Sequence, residues 1–461
     1  MTSSTSSNNV TPFPPDRRLA FMIGVYEAFW HVLLPVYLIW MWLRSRKEPL
    51  YRQHWSERWG RVNSHLKSPL WLHCASMGEI RGAAPLVQAS VDEGYSVFVT
   101  TLTPAGRTIA RNLFKSLIEA QKIQVSYLPF EISSCVLRWI KNVQPRCAIM
   151  TEIDTWPVLL KNIRQQKIPL CLANARYSEK SLNRDRNQWW GIRTQIFQAY
   201  QLVLCKSKLH ADRFKSLGCA QVEVVGETRF DMPIPQHLVD SAVHYVQRWS
   251  LGAAQRPVIC FASPIAGEDE QFIDAMHQMK KLLQNMGKPA PLFIYVPRSP
   301  QRFNLVGKLL KNLKLNVIKR SDIWDEQFQM QQPIDSLQDI DVLLGDSLGE
   351  MFFYLALAQL VIVGSTFVPK NAHNVIEPLS LCKPVMIGMS MRGIEYPAIE
   401  AIDAGVLQQH FNIPSLVNAV VELMINPQDY LQVVEKAKVF YAEHGGSAQK
   451  HLSYLKPWLS R

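Results

Sequence analysis

Three stretches of the chain place a glutamate three residues after a polar side chain that can cap a helix. Ser76-Met-Gly-Glu79 is followed by the variants Ser347-Leu-Gly-Glu350 and Asn374-Val-Ile-Glu377. In this capping-box form, the two side chains satisfy free N–H groups at a helix start. A glutamate at the carboxyl end of a strand can also remove a proton from a bound hydroxyl group. Local sequence leaves Glu79 open between helix cap and general base, and a helix start would lower its pKa.

Further features of the second half suit a phosphorylated ligand. Pro297-Arg298 lies just beyond a predicted strand, where a guanidinium can clamp a phosphate or carboxylate with two hydrogen bonds. The helix starts after Gly345 and Gly364 offer free N–H groups, on which a phosphate can rest without a metal ion. Glu377, one turn into its helix, can accept from ribose hydroxyls. Helix capping explains each motif equally well alone, but together at one sheet edge they indicate a nucleotide-sugar donor site.

The elements that must position these side chains are short apolar strands alternating with helical patterns. Such strands imply parallel sheets covered on both faces by helices. Residues 231–240 (DMPIPQHLVD) are typical of an interdomain linker. We therefore expect an α/β protein of two doubly wound, Rossmann-like domains facing a cleft, with ligands at the carboxyl ends of the strands. The predicted strands are 70–75, 96–101, 124–128, 147–151, 169–173, 202–205 and 222–225, then 258–263, 292–296, 316–319, 341–344, 360–364 and 384–388.

Composition disfavours several classes of protein. No GxGxxG or GxxxxGK[ST] motif is present, which argues against dinucleotide oxidoreductases and P-loop nucleotidases. Eight cysteines are scattered singly without a CxxC, which fits a reducing compartment and argues against structural zinc. We interpret Asp339-Ile-Asp341 as loop chemistry, not a metal site, and Glu268-Asp269-Glu270 as the acidic first turn of a helix. We expect no cofactor and no metal ion.

The formal charge of +12 indicates an anionic partner. A phosphorylated substrate or an acidic membrane surface fits better than nucleic acid, because no aromatic-basic reading surface is evident. Residues 19–43 are apolar over roughly the length that spans a bilayer, but Glu27, His31 and Pro35 leave a monotopic or tilted anchor open. The basic segment that follows is interpreted as a helix on anionic lipid headgroups or, alternatively, as an ordinary solvated helix. Its cations are Arg44, Arg46, Lys47, Arg52, Arg58 and Arg61.

Short motifs spread along the chain share their pattern with one enzyme family. In the first half they are Lys47–Gly60, Ser76–Glu79 (S-x-G-E), Val99–Gly106 (V-T-T-x-T-P-x-G), Glu152-Ile-Asp154-Thr-Trp156-Pro157 and Asn174–Ser178 (N-A-R-x-S). In the second half they are Pro297-Arg298, Leu348–Glu350 and His373-Asn374-x-x-Glu377-Pro378. With these motifs the chain resembles the 3-deoxy-D-manno-octulosonate (Kdo) transferases over nearly its whole length.

The resemblance implies a two-Rossmann glycosyltransferase fold of the GT-B type, CMP-Kdo as donor and no metal at the active site. It implies an inverting transfer of Kdo onto a phosphorylated lipid A precursor (lipid IVA) in lipopolysaccharide biosynthesis, at the cytoplasmic face of the inner membrane. Glu79 matches the family's general base, Glu152 matches a catalytic acidic residue, and Arg229 stands where the family usually has lysine. The positions that match the CMP contacts are Pro297, Arg298, Leu348, Gly349, Glu350, Asn374 and Glu377.

Departures from the family pattern fall near the expected donor phosphate and sugar. Asn371-Ala372 stands where the family usually has two glycines, and Pro264-Ile265-Ala266 replaces a Thr-His pair before Gly267-Glu268. Glu227 stands where Asn is usual. A same-fold transferase with a different activated sugar or acceptor, and a catalytically silent membrane-bound relative, therefore stay open as alternatives.

The expected organisation runs in order from a disordered tail to a returning helix. The ranges are a tail at 1–18, a membrane anchor at 19–45, an acceptor domain at 46–235, a CMP-sugar donor domain at 236–435, and a helical tail at 436–461 that packs back on the N-terminal domain. The expected partners are CMP-Kdo, the lipid A precursor and an anionic membrane surface, with no nucleic acid.

Overall fold

The structure is a computed structural model that describes residues 12–188, 191–252, 255–331 and 337–459. The chain forms two compact units. Unit 1 contains the residues up to Met232 and those from Gly445 onward, and unit 2 contains Pro233–His444. The expected boundaries followed residues 235 and 435. Unit 2 extends beyond residue 435 because the helix Pro427–His444 is unbroken and His444 stacks on Phe440.

The expected disordered tail divides into two parts. Residues 1–11 lie outside the described residues, as do residues 460–461 of the helical tail. In contrast, Phe13 is buried in the core of unit 1 and Asp16 caps the first helix by accepting from the Leu19 N–H. The folded part of the chain therefore begins before residue 18.

The strands that the described residues form are β1 Leu70–His73, β2 Val97–Thr101, β3 Ile123–Tyr127, β4 Cys147–Thr151, β5 Leu170–Ala175, β6 Leu202–Cys205, β7 Val222–Val224, β8 Val258–Ala262, β9 Leu292–Val296, β10 Val317–Lys319, β11 Val342–Leu344, β12 Leu360–Val363, β13 Val385–Ile387 and β14 Leu407–Gln409.

The α-helices are α1 Arg17–Arg44, α2 Trp55–Arg58, α3 Met77–Asp92, α4 Pro104–Leu113, α5 Lys115–Glu119, α6 Ser133–Val143, α7 Pro157–Gln165, α8 Glu179–Arg186, α9 Ile192–Ile196, α10 Lys208–Lys215, α11 Gln236–Arg248, α12 Asp269–Asn285, α13 Phe303–Asn312, α14 Arg320–Ile323, α15 Met351–Leu357, α16 Ile376–Ser380, α17 Glu395–Asp403, α18 Ile413–Ile425, α19 Pro427–His444 and α20 Ser447–Leu459.

Unit 1 is built on a parallel sheet in the order β3-β2-β1-β4-β5-β6-β7. Every residue of β1, β2 and β4 is buried, because helices cover both faces of the sheet. Trp71, Phe98 and Trp139 pack together within the core. The chain leaves β1 toward one edge of the sheet and returns to β4 on the other side of β1. The carboxyl ends of β1 and β4 therefore flank a topological switch point, where open α/β sheets bind ligands.

Unit 2 repeats the architecture with the parallel order β10-β11-β9-β8-β12-β13-β14 and a switch point between β8 and β12. The strands confirm the expected pair of doubly wound α/β domains. Strand β14 is the one strand of the two sheets that we did not predict from the sequence. Its segment Leu407-Gln-Gln409 is short, half polar and at the sheet edge, so it lacks the continuous apolar run of the inner strands.

Helix α1 is the one helix among the described residues that is long and apolar enough to cross a membrane. Its 28 residues extend about 42 Å at 1.5 Å per residue. Leu19 and Ile23 near one end, and Leu34 and Met41 toward the other, are buried against unit 1. The face that remains exposed carries an apolar stripe at helical spacing, formed by Phe21, Val25, Phe29, Val32, Val36 and Ile39.

Polar contacts also join α1 to the rest of unit 1. Tyr26 donates to the Glu131 carboxylate at 2.6 Å. Glu27 accepts from the Ser133 N–H at 2.6 Å and from Lys161 Nζ at 2.9 Å. The segment expected as an anchor is therefore also part of the fold of unit 1.

The cations that follow α1 do not form one surface. Arg44, Arg46 and Arg52 are exposed, and each lies over an aromatic ring. Arg58 is buried and lies over the ring of Tyr127 at 3.9 Å. The expectation that Arg58 faces lipid headgroups was therefore wrong, because its guanidinium is part of the protein interior.

Candidate active site

Three hydrogen bonds hold the carboxylate of Glu79 at the start of α3. Oε2 accepts from the Ala75 N–H and from Thr151 Oγ1, both at 2.8 Å, and Oε1 accepts from Ser76 Oγ at 2.9 Å. Ser76 caps the helix by accepting from the Glu79 N–H at 3.2 Å. The helix cap is thus present, but the glutamate reaches back to Ala75 and across to β4 through Thr151.

The pKa of Glu79 is raised above its ordinary value. Burial is the largest cause and the nearby charge of Glu152 adds to it, while the three hydrogen bonds act in the opposite direction without cancelling the rise. The expectation that the helix start lowers this pKa was therefore wrong, because burial and a like charge outweigh the helix dipole. A carboxylate with a raised pKa is a stronger base.

Glu152 directly follows β4 in a left-handed backbone conformation with φ of 59°. Three cations surround its carboxylate: Arg176 Nε at 2.7 Å, Lys206 Nζ at 3.4 Å and Arg229 Nη2 at 3.8 Å. Burial alone would raise the pKa of Glu152, but the three cations outweigh it and lower the pKa to about 2. Glu152 is therefore a fixed negative charge at neutral pH, and Glu79 is the carboxylate of the pair with the higher pKa.

Arg229 joins the cluster from a short helical turn after β7. Its Nη2 donates to the Gly78 carbonyl at 3.0 Å, and its Nη1 lies 3.4 Å from Glu227. A Cβ on Gly82 would come within 2.8 Å of Arg229 Nε, so α3 approaches the guanidinium closely because position 82 has no side chain. Glu227 also pairs with the buried Lys206 at 2.9 Å. The predicted residues Glu79, Glu152 and Arg229 therefore belong to one cluster.

Two further side chains, those of the buried His73 and the half-buried Asp154, face each other at this sheet edge. His73 Nε2 and Asp154 Oδ2 are 3.7 Å apart, and neither atom has a hydrogen-bond partner. Burial lowers the pKa of His73 to about 3. Burial, together with the charges of Glu79 and Glu152, raises the pKa of Asp154 well above its ordinary value. The imidazole is therefore neutral, and the two side chains do not form an ion pair.

The C-terminal helix α20 supports the turn that carries Arg229. His451 Nδ1 donates to the Ser447 carbonyl at 2.8 Å, which leaves Nε2 to accept from the Asn174 N–H at 3.1 Å. The Asn174 side chain accepts from the Thr228 N–H at 3.0 Å and donates to Thr228 Oγ1 at 2.7 Å. Thr228 is the first residue of the turn that contains Arg229. Residues at the end of the chain therefore help to fix a cation of the cluster.

Unit 2 carries the predicted donor contacts on loops at the carboxyl edge of its sheet. The strands β11, β9, β8 and β12 are neighbours, so the loops that follow them lie at the same edge. Arg298, after the buried Pro297, is exposed, and its Nη1 lies 3.3 Å from both Ser365 Oγ and the Asn371 carbonyl. These contacts hold the guanidinium over the loop that follows β12.

Glu268 joins two of these loops at the switch point of unit 2. Its fully buried carboxylate accepts from the backbone N–H groups of Ile265 at 3.0 Å, Ser365 at 2.7 Å and Phe367 at 3.0 Å. From the sequence we interpreted Glu268 as part of the acidic first turn of a helix, and this interpretation was wrong for Glu268. The side chain of Glu268 does not cap α12, because the loop N–H groups take its oxygens.

Glu350 is held by contacts within unit 2. Arg320, which is buried, donates to its carboxylate with Nε at 2.8 Å and Nη2 at 2.7 Å, and Ser347 Oγ donates to it as well. Because α15 begins one residue after Glu350, this stretch is not the capping box that the sequence suggested. Leu348 is 72% exposed, and Gly349 has a φ of 82° with open space at its Cβ position. These two residues are the parts of the turn that can meet a ligand.

The loop that contains Asn374 and Glu377 differs from the expected helix start. Helix α16 begins at Ile376 and has five residues, with Glu377 in its first turn. Asn374 Oδ1 accepts from the Ile376 N–H at 3.0 Å, so one N–H group expected for a phosphate already has a partner. Neither Asn371 nor Ala372 has a positive φ. The backbone path of this loop therefore does not depend on glycine at those positions.

Sequence reasoning named Glu152 but missed Arg176, Lys206 and Thr151 as members of the cluster in unit 1. Arg176 and Lys206 each directly follow a strand, as Glu152 does, and the three strands β5, β6 and β4 are neighbours in the sheet. A charged residue at the first position after a buried parallel strand was the available signal. Thr151 gave no signal, because a buried β-branched residue is typical of a strand interior.

The fold and the clusters at the sheet edges define a class of protein. The chain resembles the crystal structure of a glycosyltransferase from Rickettsia africae, with a TM-score of 0.55 and 14% sequence identity. The match covers 85% of this chain and 99% of that one. The protein therefore has the GT-B fold of glycosyltransferases.

Sequence comparison identifies the family within this class. Residues 53–232 match the family described as 3-deoxy-D-manno-octulosonic-acid transferase (kdotransferase). The 3-deoxy-D-manno-octulosonic acid transferase of Bordetella pertussis is 31% identical over 442 residues, which cover 95% of this chain and 99% of the relative. The transferase of the same name from Haemophilus influenzae is 28% identical over 447 residues, with 95% and 98% covered. The chain belongs to the Kdo transferase family and is a glycosyltransferase, as its motifs indicated.

Proposed function

We propose that the protein transfers Kdo from CMP-Kdo to a sugar hydroxyl of a phosphorylated lipid A precursor, lipid IVA, in lipopolysaccharide biosynthesis. The observation that carries the proposal is the environment of Glu79. This half-buried carboxylate has a raised pKa and lies at the switch point of unit 1, beside a cluster rich in cations. A base of this kind is suited to take a hydroxyl proton near neutral pH.

The proposed reaction is an inverting single displacement. Glu79 takes the proton of the acceptor hydroxyl as its oxygen forms a bond to the anomeric carbon of Kdo. The bond from that carbon to the CMP phosphate breaks, and its electron pair leaves with CMP. The side chains of Arg176 and Arg229 are partly exposed, so their guanidinium groups can meet the carboxylate of an anionic sugar.

The donor contacts are proposed for unit 2. The Arg298 guanidinium would hold the CMP phosphate, because it is exposed and anchored on one side by Ser365 and Asn371. Leu348 and Gly349 would meet the nucleoside. The remaining family-matched positions, Pro297, Glu350, Asn374 and Glu377, would complete the site, with Glu350 acting through the turn that it holds with Arg320.

The membrane contact is proposed for α1 at the cytoplasmic face of the inner membrane. Both ends of the helix are buried against unit 1, so a span perpendicular to the bilayer would draw the folded unit into the hydrocarbon. The exposed stripe from Phe21 to Ile39 instead fits a helix that lies in the interface. Arg44, Arg46 and Arg52 would then face anionic headgroups.

The test is mass spectrometry of products formed by the purified full-length protein from CMP-Kdo and lipid IVA. We expect lipid IVA to gain the mass of Kdo, with no product from the Glu79→Gln variant. Uridine-linked sugars supplied as competing donors test the alternative transferase. If CMP binds in calorimetry but no donor is used, the chain is a silent relative and the proposed function is wrong.

A further inference from the structure

Thr151 lies between the proposed base and the backbone of the neighbouring strand. It is the last residue of β4, is 1% exposed, and is hydrogen-bonded to groups on the β1 side of the switch point. Its Oγ1 is 2.8 Å from Glu79 Oε2 and 2.9 Å from the His73 carbonyl oxygen. No role follows for this hydroxyl from the sequence motifs, since Thr151 precedes the acidic motif that begins at Glu152.

The threonine hydroxyl has one proton, and both neighbouring oxygens can accept it. When Glu79 is ionised, the favourable partner is its carboxylate, because hydrogen bonds to charged acceptors are the stronger ones. When Glu79 is protonated on Oε2, the acid can donate to Thr151 Oγ1, and the threonine proton can turn to the His73 carbonyl. Glu79 and Thr151 therefore stay hydrogen-bonded to each other in both states, which matters because Thr151 is buried without access to water.

We propose that Thr151 is a positioning residue whose hydroxyl turns between the His73 carbonyl and Glu79, and so keeps the general base in place in both its protonated and ionised forms. This inference rests on the proposed function of Glu79. The threonine proton stays on Oγ1 throughout, so the proton balance is simple. The acceptor sugar loses one proton, Glu79 gains it, and Thr151 only rotates.

The donated hydrogen bond also affects how readily Glu79 ionises. Burial and Glu152 raise the pKa of Glu79, and the hydrogen bond from Thr151 is the largest of the contributions that lower it. Removal of the hydroxyl should therefore raise this pKa further, since a buried carboxylate would lose a donor. Ser76, which donates to the other oxygen of Glu79, is exposed and can be replaced by water, so it should matter less.

The test is the pH profile of kcat/KM for Kdo transfer to lipid IVA by the full-length Thr151→Val variant, which keeps the shape and loses the hydroxyl. We expect the acid-side midpoint to move to higher pH. Below that midpoint we expect activity to fall about tenfold or more, the weight of one hydrogen bond to a charged group. Thr151→Ser, which restores the hydroxyl, should return the midpoint to that of the parent.

A matched control is Thr101→Val. Thr101 is the last residue of β2, is as deeply buried as Thr151, and its Oγ1 has no hydrogen-bond partner. Its substitution should leave the midpoint unchanged. If Thr151→Val does not fold, Thr151→Cys is measured instead and compared with Thr151→Ser, because both lack the methyl group and the thiol is a much weaker donor than the hydroxyl.

The outcomes separate this inference from the proposed function. An unchanged midpoint in Thr151→Val, with Glu79→Gln inactive, overturns the role of Thr151 and leaves Glu79 as the base. A shifted midpoint that Thr151→Ser does not restore also overturns it, because packing and not the hydroxyl is then responsible. Near-normal turnover of Glu79→Gln overturns the proposed base itself.

Discussion

Replacement of Glu79 by glutamine should separate catalysis from helix capping. A residue that serves only as a helix cap affects stability, whereas a general base affects activity. In Glu79→Gln the amide oxygen can still accept from the Ala75 N–H. With that oxygen at the position of Oε2, next to Thr151 Oγ1, the amide nitrogen would face Ser76 Oγ, and this hydroxyl can accept a hydrogen bond. The number of hydrogen bonds at the helix start is therefore nearly conserved, so the fold and the cap should persist.

Stability should stay equal or rise in this variant at pH 7. The folded-state pKa of Glu79 lies above the unfolded value, so its stabilising contribution is complete below the unfolded pKa and is lost as pH rises through the folded pKa. At neutral pH the parent therefore holds a carboxylate that its surroundings disfavour, and the neutral amide removes that cost. The Tm difference should vanish below about pH 4, where glutamate is protonated in both states.

Activity should fall by a factor of roughly 10² to 10⁴, the usual weight of a general base. The assays are product formation from CMP-Kdo and lipid IVA, and thermal unfolding from about pH 3 to pH 8, which covers the titration of glutamate in the unfolded chain. Glu350→Gln is a useful contrast, since the same S-x-G-E form there holds the buried Arg320. That variant should lose stability. Glu79→Gln with turnover near that of the parent would return Glu79 to the role of a helix cap.

Three further experiments test other parts of the structure. Arg298→Ala should weaken CMP binding in calorimetry by about tenfold or more, with Arg298→Lys intermediate, because the guanidinium fork is lost; binding like that of the parent would put the donor site elsewhere. Deletion of residues 1–43 should lower the Tm of unit 1, because Glu131 and Lys161 lose their α1 partners, while unit 2 still binds CMP; loss of CMP binding would contradict the independence of the units. Lys206→Gln and Glu227→Asn should each lower the free energy of unfolding by about 3–5 kcal/mol, and the double variant should recover part of this loss. A double-mutant cycle by urea unfolding measures this, and additive losses would mean that the pair is not coupled.

The strand positions could be predicted from the sequence because both sheets are parallel and covered on two faces. Each inner strand is then a continuous apolar run, such as Val258–Ala262, that ends at a polar loop. Helix starts were harder to predict. The same S-x-G-E pattern begins a helix at Ser76 but not at Ser347, because the buried Arg320 takes the carboxylate of Glu350. A tertiary contact decides the outcome, and a local pattern does not contain it.

The candidate site could likewise be predicted only in part. The positions of Glu79 and Glu152 followed from their motifs, since each comes just after a strand at the switch point. Their pKa values did not follow, because the direction depends on which charges the fold brings near. Glu152 gains three cations from other strand ends and Glu79 gains only a like charge and burial. Two glutamates at the same sheet edge therefore have pKa values that are shifted in opposite directions.

The departures from the family pattern can be explained by contacts within each unit. Glu227 and Arg229 lie 3.4 Å apart, and Glu227 also pairs with Lys206, so the changed acid has buried partners. Asn371 contacts Arg298 through its backbone carbonyl, a group that any residue offers. The left-handed conformation in this loop falls at Ser365, whose φ is 63° and whose N–H is held by the Glu268 carboxylate. The changes at Glu227, Asn371 and Ala372 thus remove no cation from either cluster, and this favours an active transferase over a silent relative.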